Sequence, residues 1–407
     1  MPRPESPVFG ELPLPKGFRV GGLHCGIKPD PALNDLAGFV ADGPATAAGV
    51  FTTNRVCGAP VKVSRSRVPS TDARGVIINS GNANACTGER GKDHAERMTE
   101  KFAERLGCRP NQVLVCSTGV IGRPLPIERI ESAIPELAAC LGDTPDHLEA
   151  AARGMMTTDT VPKAAARIVG IGGTDVVVCG VAKGAAMIRP NMATMLAVLL
   201  TDAALTAQQA DRLLRGAVDR SFHCISVEGH RSTSDSVILM ASGAAGIEVA
   251  ADAPDESNLA DALTDVCQRL AQAIVADAEG ATHFVTIDVR GARSDEEARR
   301  IAATIADDVL VKTAVAGADP NWGRIVSCCG RSGIALTEAD ISIRINGVTV
   351  FARGEPAAYD EPALAEHMRK NYDVAIEVEL PFGNAAACFW TSDLTQEYVR
   401  LNSEYTT

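Results

Sequence analysis

A threonine hydroxyl is a poor nucleophile near neutral pH unless a base stands beside it, and one way to supply that base is to make the residue N-terminal. Thr194 is placed for this chemistry within KGAAMIRPNMATMLAVLLTD, residues 183–202. Scission between Ala193 and Thr194 would proceed by attack of the Thr194 hydroxyl on the Ala193 carbonyl. The chain would pass onto oxygen as an ester, and water would then release a new α-amine. Such an amine has a reference pKa of about 7.7 to 8.0, so a useful fraction is free base near neutrality. The small Ala193 side chain leaves room for the attack, while Pro190 locks φ and biases Arg189 away from helix. A plain loop leading into a strand accounts for the same residues, and for this stretch taken alone it is the better reading, because short apolar runs preceded by Thr are common.

Several elements must position such a residue. Met195 to Leu200 is a short apolar run without helical period, closed by Thr201-Asp202, and reads as a buried strand with Thr194 at its mouth. Upstream, VIINSGNANACTG (76–88) is a strand entering a loop dense in Gly and Asn, a composition that tolerates positive φ and exposes backbone N–H groups. The spacing of Ala95, Met98, Phe102 and Leu106 predicts a helix over 92–106. VLVCS (113–117) then runs into Thr118-Gly119, where a hydroxyl and backbone N–H groups at a sheet edge could form an oxyanion hole; a simple turn fits those residues equally well. A helix over 145–156 ends in Thr157-Thr158-Asp159-Thr160, and ARIVGIGGTDVVVCGVAKG reads as a hairpin that delivers Lys183 to the loop before Thr194. Further on, Thr206 to Gln209 forms a capping box for a helix over 207–218. SFHCISVEG and SVILMASG read as strands, and a long helix is expected over 257–279, stopping at Gly280. That helix leaves Glu279 opposed to the helix dipole, which favours a functional or paired role for it. In the last third, GADPNWGRIVSCCGRSG (317–333) reads as a turn and packing seam, Asn346-Gly347 as a hairpin turn, and 361–370 as a helix.

These pieces, in this order, resemble the ornithine acetyltransferase (glutamate N-acetyltransferase) family. The heptapeptide PNMATML, with Lys183-Gly184 eleven residues before Thr194, is similar to that family's self-cleavage segment. AAGVFTTNRV, the Thr118-Gly119 pair, M-T-T-D-T-x-P-K from Met156, AEGATHFVTI around Glu279, GADPNWGRIVSCCGRSG and the C-terminal tail add further blocks, so the resemblance covers nearly the whole chain. It implies cleavage between Ala193 and Thr194 into an α chain, 1–193, and a β chain, 194–407, with a smaller subdomain from about residue 294. The implied fold is α/β, an αββα sandwich like that of N-terminal-nucleophile hydrolases, with the two chains associated as α2β2. Thr194 is the implied nucleophile, Thr118 and Gly119 the oxyanion hole, and Thr157, Lys183, Thr194, Glu279, Asn402 and Thr407 the substrate contacts. The implied reaction is ping-pong transfer of acetyl from N-acetylornithine to glutamate without cofactor or metal, with acetyl-CoA open as a further donor.

The chain departs from the family's usual pattern where KGAAMIRP replaces K-G-S-G-M-I-A-P and where VEGHRSTSD replaces V-D-G-D-T-S-T-N-D. A self-cleaving aminopeptidase of related architecture, an acetyltransferase with another amino-acid acceptor, and an uncleaved binding protein therefore stay open as alternatives. Bulk properties narrow the rest. A net charge of −12 without a basic run argues against nucleic acid as a partner. No apolar stretch approaches the ~18 residues of a membrane helix and the N-terminal residues lack an apolar signal core, so a cytoplasmic enzyme is expected. The twelve cysteines lack metal-ligand spacing and read as reduced, buried small hydrophobes. A length of 407 residues exceeds what one core usually supports, and two domains or a layered composite are expected.

Overall fold

The structure, a computed structural model, describes residues 6–188 and 195–404. Thr194, Ala193 and Thr407, named above as cleavage or substrate positions, lie outside the described residues. In chain order the strands are β1 (Phe18–Leu23), β2 (Leu36–Phe51), β3 (Ser70–Asn82), β4 (Val113–Val120), β5 (Lys163–Ile171), β6 (Thr174–Lys183) and β7 (Leu196–Thr201). They continue as β8 (Ile225–Ser226), β9 (Ser236–Ala241), β10 (Phe284–Ala292), β11 (Ser342–Ile345), β12 (Val348–Ala352), β13 (Glu355–Pro356), β14 (Asp373–Glu379) and β15 (Ala385–Ser392). Two mixed sheets result, with helices packed on their faces, and the α/β class expected from the sequence holds. The first runs β4-β3-β2-β9-β7-β6-β5 with β1 beside β2; the second runs β13-β12-β11-β14-β10-β15-β8.

The position of β7 explains its sequence. It lies parallel to β9 and antiparallel to β6 in the middle of the first sheet, and all six of its residues are buried. Leu196, Val198 and Leu200 enter one apolar cluster, with Leu148, Ala151, Ala152 and Met155 of the helix Pro145–Met155. Ala197 and Leu199 enter another, with Leu259, Leu263, Val266, Leu270 and Ile274 of the helix Pro254–Ala276. A strand covered on both faces has no polar side to alternate with, so its run is continuously apolar. Each buried Leu or Val contributes ~1.5–3 kcal/mol, which anchors the chain immediately after residue 194.

Local expectations hold where the signal is chemical. Thr206 and Gln209 close a reciprocal capping box on the helix Ala207–Asp219, and Asn346-Gly347 turns the β11–β12 hairpin at φ 47° and 79°. Others are corrected. The helix expected from Lys92 begins at Gly88. SFHCISVEG contributes only the two-residue β8 after a short helical turn, Phe222–Cys224. The long helix ends at Ala276, so Glu279 lies three residues beyond it, in a turn whose N–H donates to Ala185 O at 2.9 Å. The seam at 317–333 contains a helix, Trp322–Arg331, held by Trp322 stacked on Phe351 with ring centroids 5.0 Å apart. All twelve cysteines are free, but only six are buried, and Cys86 is exposed. No helix among the described residues is long and apolar enough to cross a membrane.

Candidate active site

β3 and β4 lie parallel and end together, with Ser80 opposite Thr118 and Gly81 opposite Gly119. The strands approach so closely there that a Cβ on Gly119 would stand 2.3 Å from Gly81 C, and Gly119 has φ +127°. Only glycine fits, and the backbone at this sheet edge is thereby exposed to the cavity beside it. Gly119→Ala is expected to cost at least about 2 kcal/mol of stability, read as a lowered denaturation midpoint, because a left-handed position and a backbone clash are both violated.

Lys183 closes β6 and is almost fully buried. Its ammonium donates to Thr118 Oγ1 at 3.1 Å, so two residues 65 apart in sequence meet at one end of the sheet. Burial lowers the Lys183 pKa, as does the Lys163 charge, while Asp159, Asp235 and Glu279 oppose the shift. Beside it, Asp159 accepts from Gly184 N–H at 2.6 Å and from Thr157 N–H at 3.0 Å. Lys163 donates to Asp159 and to Asp277, each at 2.6 Å, and Asp277 accepts from Thr160 N–H at 2.9 Å. This buried network ties the Thr157 loop and the end of the helix Pro254–Ala276 to the start of the loop before residue 194. It accounts for the Asp and Lys of M-T-T-D-T-x-P-K, a motif read in the sequence only for Thr157.

On the far side, Glu279 Oε2 accepts from Asn402 Nδ2 at 2.9 Å. Asn402 belongs to a helix, Gln396–Glu404, which no sequence signal in the polar tail had indicated. That helix packs against Gly280, where a Cβ would stand 2.5 Å from Tyr398 N, and Thr395 Oγ1 donates to Gly280 O at 2.6 Å. The tail is therefore docked onto the Glu279 turn.

Thr118, Gly119, Thr157, Lys183, Glu279 and Asn402 all line one cavity of about 180 Å³. Every expected site residue among the described ones is thus brought together. Met195, the first described residue after the expected cut, is buried, and its N–H donates to Asp235 Oδ1 at 3.1 Å. Asp235 is wholly buried, and desolvation pushes its carboxyl well above the ordinary range despite the hydrogen bond from Met195 N–H. Sequence reasoning missed Asp235, the Asp159–Lys163–Asp277 network, and two further lining residues, Glu228 and Tyr398. Among the described residues no group of three or more His, Cys, Asp or Glu is arranged to hold a metal ion.

This geometry suits acyl transfer. Hydroxyl and backbone groups at the end of β4 line the cavity and could receive a carbonyl oxygen, a buried ammonium sits beside them, and a carboxylate with an amide partner lines the same cavity.

The sequence profile of the ArgJ family matches residues 19–407. An arginine biosynthesis bifunctional protein ArgJ from Geobacter sulfurreducens is 45% identical over 393 residues, covering 96% of this chain and 99% of that protein. Its counterpart from Nitratidesulfovibrio vulgaris is 45% identical over 392 residues, covering 96% and 98%. Among solved structures, an arginine biosynthesis bifunctional protein argJ from Bacillus halodurans superposes with a TM-score of 0.50 at 36% identity, covering 51% of this chain and 98% of that one.

Proposed function

We infer the reaction from one premise: this chain belongs to the ArgJ family of arginine-biosynthesis enzymes. It is an acetyltransferase, moving acetyl from N-acetylornithine to glutamate. The observation that carries the assignment of its machinery is the convergence of Thr118, Gly119, Lys183, Glu279 and Asn402 on one cavity, with Lys183 paired across the sheet to Leu196, the first residue of β7.

Thr194, freed by cleavage after Ala193, attacks the acetyl carbonyl of N-acetylornithine through its hydroxyl. The hydroxyl proton passes to the new α-amine, and the carbonyl electrons move onto oxygen, where Thr118 and the Gly119 backbone take up the developing charge. Collapse returns the proton to the leaving nitrogen and expels ornithine, leaving acetyl on Thr194. Glutamate then attacks with its own α-amine and reverses the steps. Thr157, Lys183, Glu279, Asn402 and Thr407 hold the amino-acid portion common to both substrates. The cycle consumes no cofactor.

The sheet order supports association of the two chains after cleavage. β7 and β9, both beyond residue 194, lie between β2 and β6, both before it, so the chains cannot part without breaking two strand ladders. A solved relative whose chain is matched over 98% of its length by 51% of this one has the size that such a division yields. An α2β2 assembly of two cleaved pairs, in the cytoplasm, completes the reading.

The test is a single turnover. With N-acetylornithine alone, the enzyme should release one equivalent of ornithine and carry an acetyl adduct on the chain that begins at Thr194; glutamate should discharge it as N-acetylglutamate. Release of acetate in place of transfer would make the protein a hydrolase of aminopeptidase type. Loading of the same adduct from acetyl-CoA would show a second donor.

A further inference from the structure

Ping-pong transfer between these two amino acids poses a problem that the residues above do not solve. One pocket must hold a donor whose side chain ends in an ammonium and an acceptor whose side chain ends in a carboxylate. A fixed charge would favour one and repel the other strongly once desolvated. Resting on the acetyltransferase reading, we propose that Glu228 reads the distal group of both substrates, meeting the ammonium as a carboxylate and the carboxylate as a carboxylic acid.

Glu228 lines the same cavity as Thr118, Lys183 and Glu279. One oxygen is fixed: Oε1 accepts from Ile188 N–H at 2.6 Å, which holds the side chain in place. The other, Oε2, is buried and has no hydrogen-bond partner among the described residues. An unused carboxyl oxygen at a cavity wall is a costly feature unless something arrives to use it. Glu279 differs in this respect: its Oε2 is taken by Asn402 in an exposed contact, and it carries no buried oxygen without a partner.

The surroundings of Glu228 let it change protonation at little cost. Desolvation pushes its carboxyl up to about 7, while the N–H of Ile188 and the charge of Lys312 pull the other way. Lys312 is itself buried, and desolvation brings it down to about 8; it donates to Thr391 Oγ1 at 2.6 Å. The other groups around the cavity with acid–base chemistry are Lys183, His230, Glu279 and Tyr398. Burial pushes the Tyr398 phenol up to about 12, so Tyr398 stays neutral and can bridge either ligand. An incoming ammonium favours the ionised form of Glu228, and an incoming carboxylate favours the protonated form, which then donates its O–H. Exchange of ornithine for glutamate is therefore accompanied by uptake of one proton from solvent at Glu228.

Two measurements on the full-length, self-processed enzyme test this. The first is proton linkage, from titration calorimetry in buffers of different ionisation enthalpy. Glutamate binding at about pH 8 should take up close to one proton and ornithine binding at about pH 6 should release close to one, and both changes should vanish in Glu228→Gln. The second is steady-state kinetics of Glu228→Gln. Glutamine keeps the acceptor for Ile188 N–H and a neutral donor, so the KM for N-acetylornithine should rise roughly tenfold to hundredfold while that for glutamate stays within about threefold. Linkage that persists in the variant, or equal losses for both substrates, would overturn the assignment and leave the acetyltransferase standing. A wild-type enzyme that moves no acetyl between the two amino acids would overturn both. Should the glutamine variant fail to process, the linkage measured on wild type decides the question: absence of both proton changes overturns the proposal, and their presence supports it.

Discussion

Thr194→Ala is expected to purify as one unbroken 407-residue chain, whereas the wild type is expected to divide into residues 1–193 and 194–407. Intact-mass measurement and N-terminal sequencing read the difference directly. Acetyl transfer in the variant should fall by at least roughly 10⁴-fold, because the nucleophile and the α-amine that activates it are lost together. Thr194→Ser, which keeps a hydroxyl, should still divide and retain measurable transfer. The fold gives no reason for the alanine variant to collapse: β6 and β7 are adjacent antiparallel strands whose pairing does not depend on whether the connecting peptide is cut. A wild-type chain that stays whole yet transfers acetyl would remove Thr194 from the mechanism, and a whole, inactive wild type would point to a binding protein.

The second large effect is on stability. Among the described residues Lys163 is the only cation whose ammonium donates to both Asp159 and Asp277, and all three side chains are 1% exposed or less. Lys163→Met fills the space but strands two buried carboxylates, a change that costs about 3–5 kcal/mol. Its pH dependence is diagnostic. Desolvation alone would raise the Asp159 carboxyl, but Lys163, Lys183 and Gly184 N–H outweigh it and hold Asp159 below the usual range. In the wild type this stabilisation is fully present above the unfolded value of about 3.9 and drains away as pH falls through the lower folded value. Desolvation likewise opposes the Lys163 charge but is outweighed by Asp159 and Asp277, so its pKa is raised and its contribution fails only as pH rises through that folded value. Without Lys163 the burial penalty on Asp159 is no longer outweighed to the same extent and its carboxyl protonates more easily, so the variant gains stability as pH drops below neutral. The gap between wild type and variant, from urea denaturation, should be widest at about pH 7 and narrow towards about pH 4. A gap under about 1 kcal/mol at pH 7 would mean that the network contributes little.

Glu228 belongs to the same physical pattern as Asp235. Both are carboxyls that desolvation drives upward, Asp235 wholly buried and Glu228 partly so with its Oε2 buried, and both stand beside the segment that precedes β7. Their difference lies in access: Glu228 lines the cavity, while Asp235 is occupied with the Met195 N–H and is not among the cavity's lining residues. For that reason the first is assigned to ligand recognition, and the second holds the backbone beside residue 194.

Periodicity and turn chemistry in the chain were enough to find β7 as a buried strand, the Thr206–Gln209 capping box and the Asn346-Gly347 hairpin, because each is a local arrangement within a few residues. The type of chemistry was also legible, since a threonine after Ala193, a Thr-Gly pair at a strand end and a lysine before a glycine loop each carry a local reason. What the residues alone did not reveal is who meets whom. Lys183 reaches Thr118 across 65 positions, Lys163 reaches Asp277 across 114, and Asn402 reaches Glu279 across 123. No spacing rule covers such distances. They are set by the strand order of the first sheet, by the helix Pro254–Ala276 ending beside Thr160, and by the last helix docking on Gly280. The same holds for Glu228: its type was in plain view, but a carboxyl becomes a switch only where the fold withdraws water from it and leaves one oxygen without a partner. Local sequence determined which groups this protein possesses, and tertiary packing decided their company and their charge, because desolvation and long-range pairing exist only once the chain is folded.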